Sequence, residues 1–316
     1  MTDRAFRTTG LIYAMVGTIL FGAKGIVMKL ALDVGSTVEQ MMTLRMGFSL
    51  PIFLIIGLLS LRKRPAKPEM KSMLLAAGLG ILSYHLCTWL DFQGLRFTSA
   101  QLERLILFSY PTIVALLAWI FLGEKLTVRH AVSLGLSYAG IFLLFGRELS
   151  QQGQDVLFGS MLVFIAAILF AIYVTGSKPV IAKLGSPLFT SIAMSAAGVS
   201  ILIHSSITVG MGDMPEFSPL ILTYGVILAI FCTALPSFML SEAISRLGPG
   251  PTSAIGNVGP VATSVLAVIV LNENFGWPHA GALILSSIGI GLLSTSKPKT
   301  AGTPLIETGQ SPKNAG

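Results

Sequence analysis

Apolar residues run along almost the whole chain in stretches of about 20, and only short polar connections separate them. A helix of about 20 apolar residues spans the hydrocarbon core of a bilayer, which is about 30 Å thick. The pattern therefore predicts an all-α polytopic membrane protein with ten transmembrane helices, numbered here as spans 1 to 10. The predicted spans cover residues 11–32, 41–60, 72–92, 98–121, 129–146, 157–178, 187–210, 218–241, 251–271 and 279–296.

The pattern also repeats itself along the chain. When the sequence is shifted by 149 residues, residues from both ends of the hydrophobic region coincide without a gap. We predict a duplication of one five-span unit, with a first copy at 1–149, a second at 150–298 and a disordered cytoplasmic tail at 299–316. The coinciding pairs include Gly10 and Gly159, Lys29 and Lys178, Pro111 and Pro260, Glu124 and Glu273, and Gly140 and Gly289.

Composition agrees with a membrane protein and argues against other classes. Hydrophobic residues make up 53% of the chain and charged residues 11%. The mean hydropathy of +0.79 is far above that of ordinary soluble domains. Two cysteines, Cys87 and Cys232, both lie inside predicted spans. They therefore predict neither a disulfide framework nor a metal site.

Basic residues are distributed unevenly between the two predicted sides of the membrane. With the N-terminus in the cytoplasm, fifteen of the 21 lysines and arginines fall on the cytoplasmic side and three on the outer side. This asymmetry predicts that both termini are cytoplasmic. The net charge of +7 is therefore a topology signal. We expect the protein to contact membrane lipids and not to bind nucleic acid.

Five spans per unit, an odd number, place the two copies in opposite orientations across the membrane. Two such copies, related by a pseudo-two-fold axis in the membrane plane, can exchange conformations. This exchange opens a central site first to one side and then to the other, so the repeat favours transport by alternating access. Glu124 and Glu273 lie near opposite membrane faces, and we expect both to stabilise helix ends or loops.

Each copy contains a mid-helix proline followed thirteen residues later by a glutamate, as Pro111 with Glu124 and Pro260 with Glu273. In this recurring pair the chain resembles the EamA-type transporters of the drug/metabolite transporter superfamily, over residues 11–296. The resemblance implies a ten-helix carrier of small metabolites in a bacterial inner membrane, with export favoured over import. It also implies a central cavity lined by spans 1 to 4 and 6 to 9, with spans 5 and 10 at the periphery.

Five charged side chains inside the predicted spans are candidates for function, all in the first copy and in the outer half of the membrane. Each costs at least about 2.5 kcal/mol to place there, so a functional role is expected. In a substrate site, the cations would bind a carboxylate or phosphate, and the acids would bind an amine or a proton. In a structural cluster, the same residues would pair with one another. They are Lys24, Arg45, Asp91, Glu103 and Arg104.

Three further residues are candidates for the site. Tyr110 lies seven residues after Glu103, near the same helix face, and Asn257 in span 9 can bind a ligand or a neighbouring helix. His85 joins Asp91 and Glu103 as a proton-coupling candidate, because histidine titrates near neutral pH. A hydrogen bond to a neighbouring helix is the structural alternative for His85.

Two features concern motion and assembly. Pro111 and Pro260 are expected to kink their helices, either as gating points or as static bends. Small residues spaced by four in spans 5 and 10 are consistent with a homodimer, or with packing inside one chain. These small residues are Gly135, Ala139, Ser287 and Gly291.

The chain contains no Walker-type phosphate loop, no His-Glu-x-x-His motif and no Gly-x-Ser-x-Gly motif. No cofactor, metal or ATP hydrolysis is therefore predicted. The leading hypothesis is a secondary transporter of a small polar metabolite, amino-acid-like or otherwise charged, and not an enzyme. Two alternatives stay open. One is a lipid-modifying membrane enzyme that uses Glu103, Asp91 and His85 as acid–base groups, and the other is a non-transporting scaffold or sensor.

Overall fold

Helices form nearly all of the structure, a computed structural model. It describes residues 3–64, 66–122, 128–209, 217–248, 251–252, 255–256 and 258–294. No strand occurs among these residues. Two residues singled out from the sequence, Glu124 and Asn257, lie outside the described residues, as does the predicted tail.

The helices follow the predicted spans. Most of them extend several residues beyond the apolar stretch, because backbone hydrogen bonding continues into the polar interface, where hydropathy gives no signal. In chain order they are α1 (Asp3–Asp33), α2 (Val38–Arg62), α3 (Met70–Gly80), α4 (Thr88–Leu95), α5 (Ala100–Leu107), α6 (Tyr110–Leu122), α7 (Val128–Gln152), α8 (Gln154–Leu184), α9 (Ser186–Thr208), α10 (Pro219–Ala229), α11 (Leu235–Leu247), α12 (Val258–Leu271) and α13 (Trp277–Ser294).

Eight helical segments in the described part of the chain are long and apolar enough to cross a membrane. Two further helices, α12 and α13, occupy the predicted positions of spans 9 and 10. Large apolar side chains face outward, for example Leu58 at 58% and Ile207 at 78% exposure. An apolar outer surface of this kind is stable in lipid. The protein is therefore an integral membrane protein, and the count of ten spans stays a prediction.

Local sequence determines where the helices start and turn. Thr37 and Gln40 form a capping box at the start of α2, in which each side chain accepts a hydrogen bond from the other residue's N–H. Ser99 and Ser218 cap α5 and α10 by accepting from the N–H three residues later. Gly185 alone joins α8 to α9, with a φ of +74° that favours glycine. Two consecutive helices therefore reverse direction within one residue.

Spans 3 and 8 each contain a π-helical segment near the middle. The segments are Ile81–Cys87, between α3 and α4, and Ile230–Ala234, between α10 and α11. They begin 149 residues apart, at equivalent positions of the two copies. Such segments change the direction of the side chains that follow and occur often at functional sites.

Both mid-helix prolines lie just after a break in their span. In span 4, α5 ends at Leu107 and α6 begins at Tyr110, because Pro111 has no N–H with which to continue the helical ladder. In span 9, a turn in which Gly259 donates to the carbonyl of Gly256 at 2.7 Å precedes Pro260. The prolines therefore stand at helix breaks, and their role in gating stays a prediction.

Helices α7 and α13 pack against each other along a seam of small residues, away from the centre of the bundle. Ser133 donates to the carbonyl of Gly289, and Ser286 donates to the carbonyl of Ser137 at 3.3 Å. The last two residues are 149 positions apart, so the seam relates the two copies symmetrically. Gly135 lies off this seam, since a Cβ added there would meet no atom within 4 Å. A homodimer through that face stays a prediction.

A surface ion pair ties the connection before α3 to the end of α8. Lys183 Nζ lies 3.0 Å from Glu69 Oε2, and the hydrogen bond holds the pKa of the Glu69 carboxyl below its ordinary value. Arg64 donates to the Lys183 carbonyl at 3.0 Å. The side chains of this pair are more than half exposed, so solvent screens the interaction.

Candidate functional site

A cavity lies between the helices. Spans 1, 3, 4, 6, 8 and 9 supply the residues described as its wall, whereas α2, α7, α9 and α13 contribute none of them. The lining residues are Thr18, Phe21, Lys24, Ser83, Tyr84, Cys87, Thr88, Arg104, Leu107, Phe108, Tyr110, Phe170, Tyr173, Val174, Leu240, Ser241, Ile244, Thr252 and Gly256. All of the interrupted spans therefore reach the cavity, and the π-helical segment of span 3 lines it at Ser83, Tyr84 and Cys87.

Aromatic rings form a continuous chain along this wall. Neighbouring rings lie 4.8 to 6.4 Å apart between centroids, and most meet edge to face. The hydroxyl groups of Tyr84 and Tyr173 are 3.3 Å apart, so one donates to the other. In order of contact the rings are Phe21, Tyr84, Tyr173, Phe170, Tyr110 and Phe108. Aromatic rings therefore form much of the wall, which is apolar apart from a few hydroxyl groups.

Lys24 forms a buried ion pair with Asp91. Its Nζ lies 2.5 Å from Asp91 Oδ2, and the two side chains are 4% and 1% exposed. The ammonium group also lies 5.1 Å from the ring centre of Phe92, a cation–π contact. The other carboxylate oxygen, Asp91 Oδ1, has no hydrogen-bond partner among the described residues. Lys24 therefore combines both predicted possibilities, because it is paired and still lines the cavity.

Glu103 lies beside this ion pair. It is 1% exposed and interacts with the Asp91 carboxyl and with the charges of Lys24 and Arg104. Its Oε2 lies 3.2 Å from where a Cβ on Gly25 would be. The glycine thus lets the carboxyl group lie directly against α1. Glu103 and Asp91 do not line the cavity in this conformation.

Arg45 stands behind the wall. It is 2% exposed, and its Nη2 donates to the Tyr84 carbonyl at 3.0 Å. The guanidinium group lies 5.5 Å from the ring centre of Phe92. Arg45 therefore holds the π-helical segment of span 3 from the side of α2, and it contributes positive charge near Asp91 without lining the cavity.

Arg104 lines the cavity and is 6% exposed. Two glycines make room for its guanidinium group between α1 and α12. A Cβ on Gly259 would lie 3.0 Å from Arg104 Nη2, and one on Gly22 would lie 3.7 Å from it. No ion pair joins Arg104 to a carboxylate of the described residues, and its Nε has no hydrogen-bond partner there. A buried cation in this state is unusual unless a ligand supplies the anion.

The two copies contribute equivalent positions to the site but different residue types. In the first copy these positions are charged or apolar and mostly packed away from the cavity. In the second copy they are aromatic, apolar or hydroxyl-bearing, and they line it. The equivalent pairs, first copy before second, are Lys24 and Tyr173, Asp91 and Leu240, Leu95 and Ile244, and Glu103 and Thr252.

A network of hydrogen bonds attaches the N-terminal end of α5 to residues outside that helix. Glu273 accepts hydrogen bonds from the Ala100 N–H at 2.9 Å and from Gln101 Nε2 at 3.1 Å. Glu148 accepts from the N–H of Ser99 at 3.1 Å and also from the Ser99 hydroxyl. The helix start binds carboxylates well because its first N–H groups have no partner in the helix. Sequence reasoning does not single out Glu148, because it lies two residues beyond the predicted end of span 5.

His85 lies apart from the cavity. Its Nδ1 is 2.7 Å from Ser200 Oγ, and its Nε2 is 3.0 Å from His204 Nδ1. Both partners belong to α9, so His85 joins spans 3 and 7. This matches the structural alternative, a hydrogen bond to a neighbouring helix. A role of His85 in proton coupling stays a prediction.

Residues 8–146 and residues 157–295 each match the model of the EamA-like transporter family, and the two matches are offset by the repeat distance of 149 residues. The chain belongs to the EamA-like transporter family. It is therefore a membrane transporter. This membership favours the leading hypothesis over a lipid-modifying enzyme.

Relatives agree with the family. The uncharacterized transporter YcbK of Bacillus subtilis (strain 168) is 27% identical, over 84% of this chain and 86% of the relative. The S-adenosylmethionine/S-adenosylhomocysteine transporter of Chlamydia trachomatis serovar L2 is 24% identical over 70% of both chains. One solved crystal structure matches with a TM-score of 0.65 at 15% identity, over 90% of this chain and 96% of the other. That likeness shows a shared fold.

Proposed function

We propose that this EamA-like transporter is a secondary carrier that exports a small, charged, amino-acid-like metabolite across a bacterial inner membrane by alternating access. The observation that carries the proposal is the cavity, in which equivalent positions of the two copies carry different chemistry. Helix breaks and π-helical segments recur in both copies, whereas the buried charges occur in one. We expect this division when two inverted halves move together around one selective site.

Exposure at equivalent positions supports alternating access. Ile244 and Thr252 line the cavity and are 7% and 6% exposed, while their first-copy counterparts Leu95 and Glu103 are each 1% exposed and do not line it. An exchange of conformations between the copies reverses this pattern, so that one end of the cavity closes as the other opens. These two positions lie near the connection between spans 8 and 9, where Leu247 lies against Gly10 of α1. With a cytoplasmic N-terminus, we propose that this end of the cavity is the cytoplasmic one.

An amino-acid-like substrate fits the groups that face the cavity. Lys24 and Arg104 are suited to a carboxylate, and the hydroxyl of Tyr110 to a polar group next to it. Asn257, which follows the lining residue Gly256 by one position, is proposed as a further contact from the second copy. The similarity to a carrier of S-adenosylmethionine and S-adenosylhomocysteine supports the same class, because both compounds contain an amino-acid group.

We place proton coupling at Asp91 and Glu103 rather than at His85. Two adjacent carboxyl groups in a dry site repel each other when both are ionised, and a shared proton removes that repulsion. Lys24 pairs with one of them at present. Opening of the bundle at this end would expose both acids and change the pairing. Such a change links proton binding to conformation.

Flux in liposomes tests the proposed function. Purified protein is reconstituted, and the uptake of labelled amino acids, S-adenosylmethionine and S-adenosylhomocysteine is measured with and without a pH gradient. Saturable flux is expected for at least one solute. Lys24→Ala and Glu103→Gln should abolish it while the protein stays folded. Arg96→Gln, at an exposed arginine outside the cavity, serves as the matched control.

Direction is measured separately in everted membrane vesicles, in which export appears as uptake. The proposal fails if no solute moves in either direction, or if both Lys24→Ala and Glu103→Gln transport normally. Uptake confined to right-side-out vesicles would support the carrier function but overturn export as its direction.

A further inference from the structure

We propose that the cavity selects organic anions with a flat, aromatic body, and that Arg104 binds the anionic group. The inference rests on the proposed carrier function and narrows its substrate class. It excludes organic cations that carry no anionic group, which the sequence leaves open because two acids accompany the three bases. Three observations support it, namely the charge balance of the site, the state of Arg104 and the shape of the wall.

The buried charges around the cavity do not balance. Three cations and two carboxyl groups are buried there, all of them less than 7% exposed. Even when both carboxyl groups are ionised, one positive charge is left over, and any proton held by the acids increases the surplus. The group consists of Lys24, Arg45, Arg104, Asp91 and Glu103. A bound monoanion would neutralise this surplus, whereas a cation would add to it.

The residues that line the cavity have a larger excess of positive charge than the buried group as a whole. Of the residues described as lining it, Lys24 and Arg104 carry charge, and none is acidic. Lys24 already has a carboxylate partner at 2.5 Å. Arg104 has none among the described residues. The undescribed residues nearest in sequence to its α12 neighbours, 253, 254 and 257, are Ser, Ala and Asn, which carry no charge.

Glycines on two helices make room for the guanidinium group of Arg104. Gly259 and Gly22 leave a notch that a side chain at either position would narrow. Thr263 donates to the Gly22 carbonyl at 3.2 Å and so holds α1 and α12 together beside the notch. A guanidinium group held in one orientation can bind a carboxylate or phosphate with two parallel hydrogen bonds. Lysine at this position would keep the charge but lose that fork.

The aromatic chain defines the rest of the ligand. Its rings line the same cavity as Arg104, and Tyr110 lies near enough to interact electrostatically with the guanidinium group. Phe170 stacks on Tyr173 at 6.0 Å and meets Tyr110 edge-on, so these rings form one aromatic surface of the wall. Flat rings gain most from such a wall. An aliphatic anion of equal charge should therefore bind more weakly.

Matched ligand pairs test the inference on the full-length protein in nanodiscs. Each pair has one aromatic body with either a carboxylate or an amine, as in 3-phenylpropionate and 3-phenylpropylamine, and butyrate serves as the aliphatic anion. Binding is measured by isothermal titration and by the shift in thermal unfolding. The aromatic carboxylates are expected to bind, the amines not, and butyrate at least about tenfold more weakly than the aromatic anion.

Variants separate charge from geometry. Arg104→Gln should lower the affinity for the aromatic anion by about 10- to 100-fold, and Arg104→Lys should restore part of it. Arg96→Gln should leave the affinity unchanged, because that arginine is exposed and bonds Gln93. Circular dichroism and size exclusion check that each variant is folded.

The inference is overturned if amines bind better than the matched carboxylates, if no anion of the panel binds, or if folded Arg104→Gln binds as tightly as the parent. The first of these results leaves the carrier function intact, because flux of a cationic solute would still be measurable in liposomes. Loss of all flux with anion binding retained would instead overturn the carrier function alone.

Discussion

Single residues decide the charge of this site, and the buried pair of Lys24 and Asp91 is the clearest case. Asp91→Asn would leave three cations near one carboxyl group, and we expect it to lower the free energy of unfolding by about 3 to 5 kcal/mol. Lys24→Met should cost less, because Arg45 also lies close enough to interact with Asp91. Denaturant titration of the detergent-solubilised variants measures both values.

The exposed pair of Glu69 and Lys183 provides the control for that comparison. Its N–O distance of 3.0 Å resembles that of a buried pair, but solvent reaches both side chains. Glu69→Gln should therefore change the unfolding midpoint little. If Asp91→Asn is no more destabilising than Glu69→Gln, the buried pair contributes nothing to stability.

The sequence predicts the depth of these charges but not their partners. Depth follows from the count of residues along a span, so Lys24, Asp91 and Glu103 are expected at a similar depth, and the structure brings the three together. Partnership depends on how each helix is rotated against its neighbours, which no local pattern specifies. The sequence also does not predict that Arg104 has no carboxylate partner among the described residues. Its position depends on the notch left by Gly22 and Gly259, which belong to helices far apart in the sequence.

At the scale of helices, the break in span 4 links structure to movement. Arg104 lies before the break and Tyr110 after it, and both face the cavity. Pro111→Ala restores an N–H, so α5 and α6 should join into one straighter helix. We expect transport turnover to fall several-fold with a smaller effect on stability, as measured by initial flux rates and thermal unfolding.

Pro51 offers a matched control, because it lies inside α2 without interrupting it. Pro51→Ala should leave turnover close to that of the parent. Equal turnover in the parent and Pro111→Ala would mean that the break is a static bend. The spans and both proline positions follow from the sequence. The π-helical segments do not, because a single extra residue in a helical turn leaves the hydropathy pattern unchanged.

At the scale of the whole molecule, the two ends of the bundle are not equally easy to close. Glu273 binds the start of α5 through Ala100 and Gln101. The equivalent positions at the start of span 9 hold Pro249 and Gly250. Proline lacks the backbone N–H that Ala100 donates, and glycine lacks the side-chain amide that Gln101 donates. Residues 249 and 250 therefore cannot make the two bonds that Ala100 and Gln101 make with Glu273. We expect this difference to favour the described conformation at rest.

Glu273→Gln should weaken that closure and shift the molecule toward the opposite conformation. Its amide still accepts hydrogen bonds but carries no charge for Lys29, which lies 3.8 Å from it, or for the helix start. Reporters are Leu95→Cys and Ile244→Cys, at equivalent positions of the two copies, in a background in which Cys87 and Cys232 are replaced by alanine. Labelling by a membrane-impermeant maleimide is compared in right-side-out and everted vesicles.

In the parent, Ile244→Cys should label faster than Leu95→Cys, because Ile244 lines the cavity and Leu95 is 1% exposed. Glu273→Gln should raise labelling at position 95 several-fold and lower it at position 244, since one exchange of conformations changes both ends. Arg96→Cys, at an exposed site, should label alike in both backgrounds. Faster labelling at both cavity positions would mean that the variant loosens the bundle instead of switching it, and alternating access between the two copies would then be wrong.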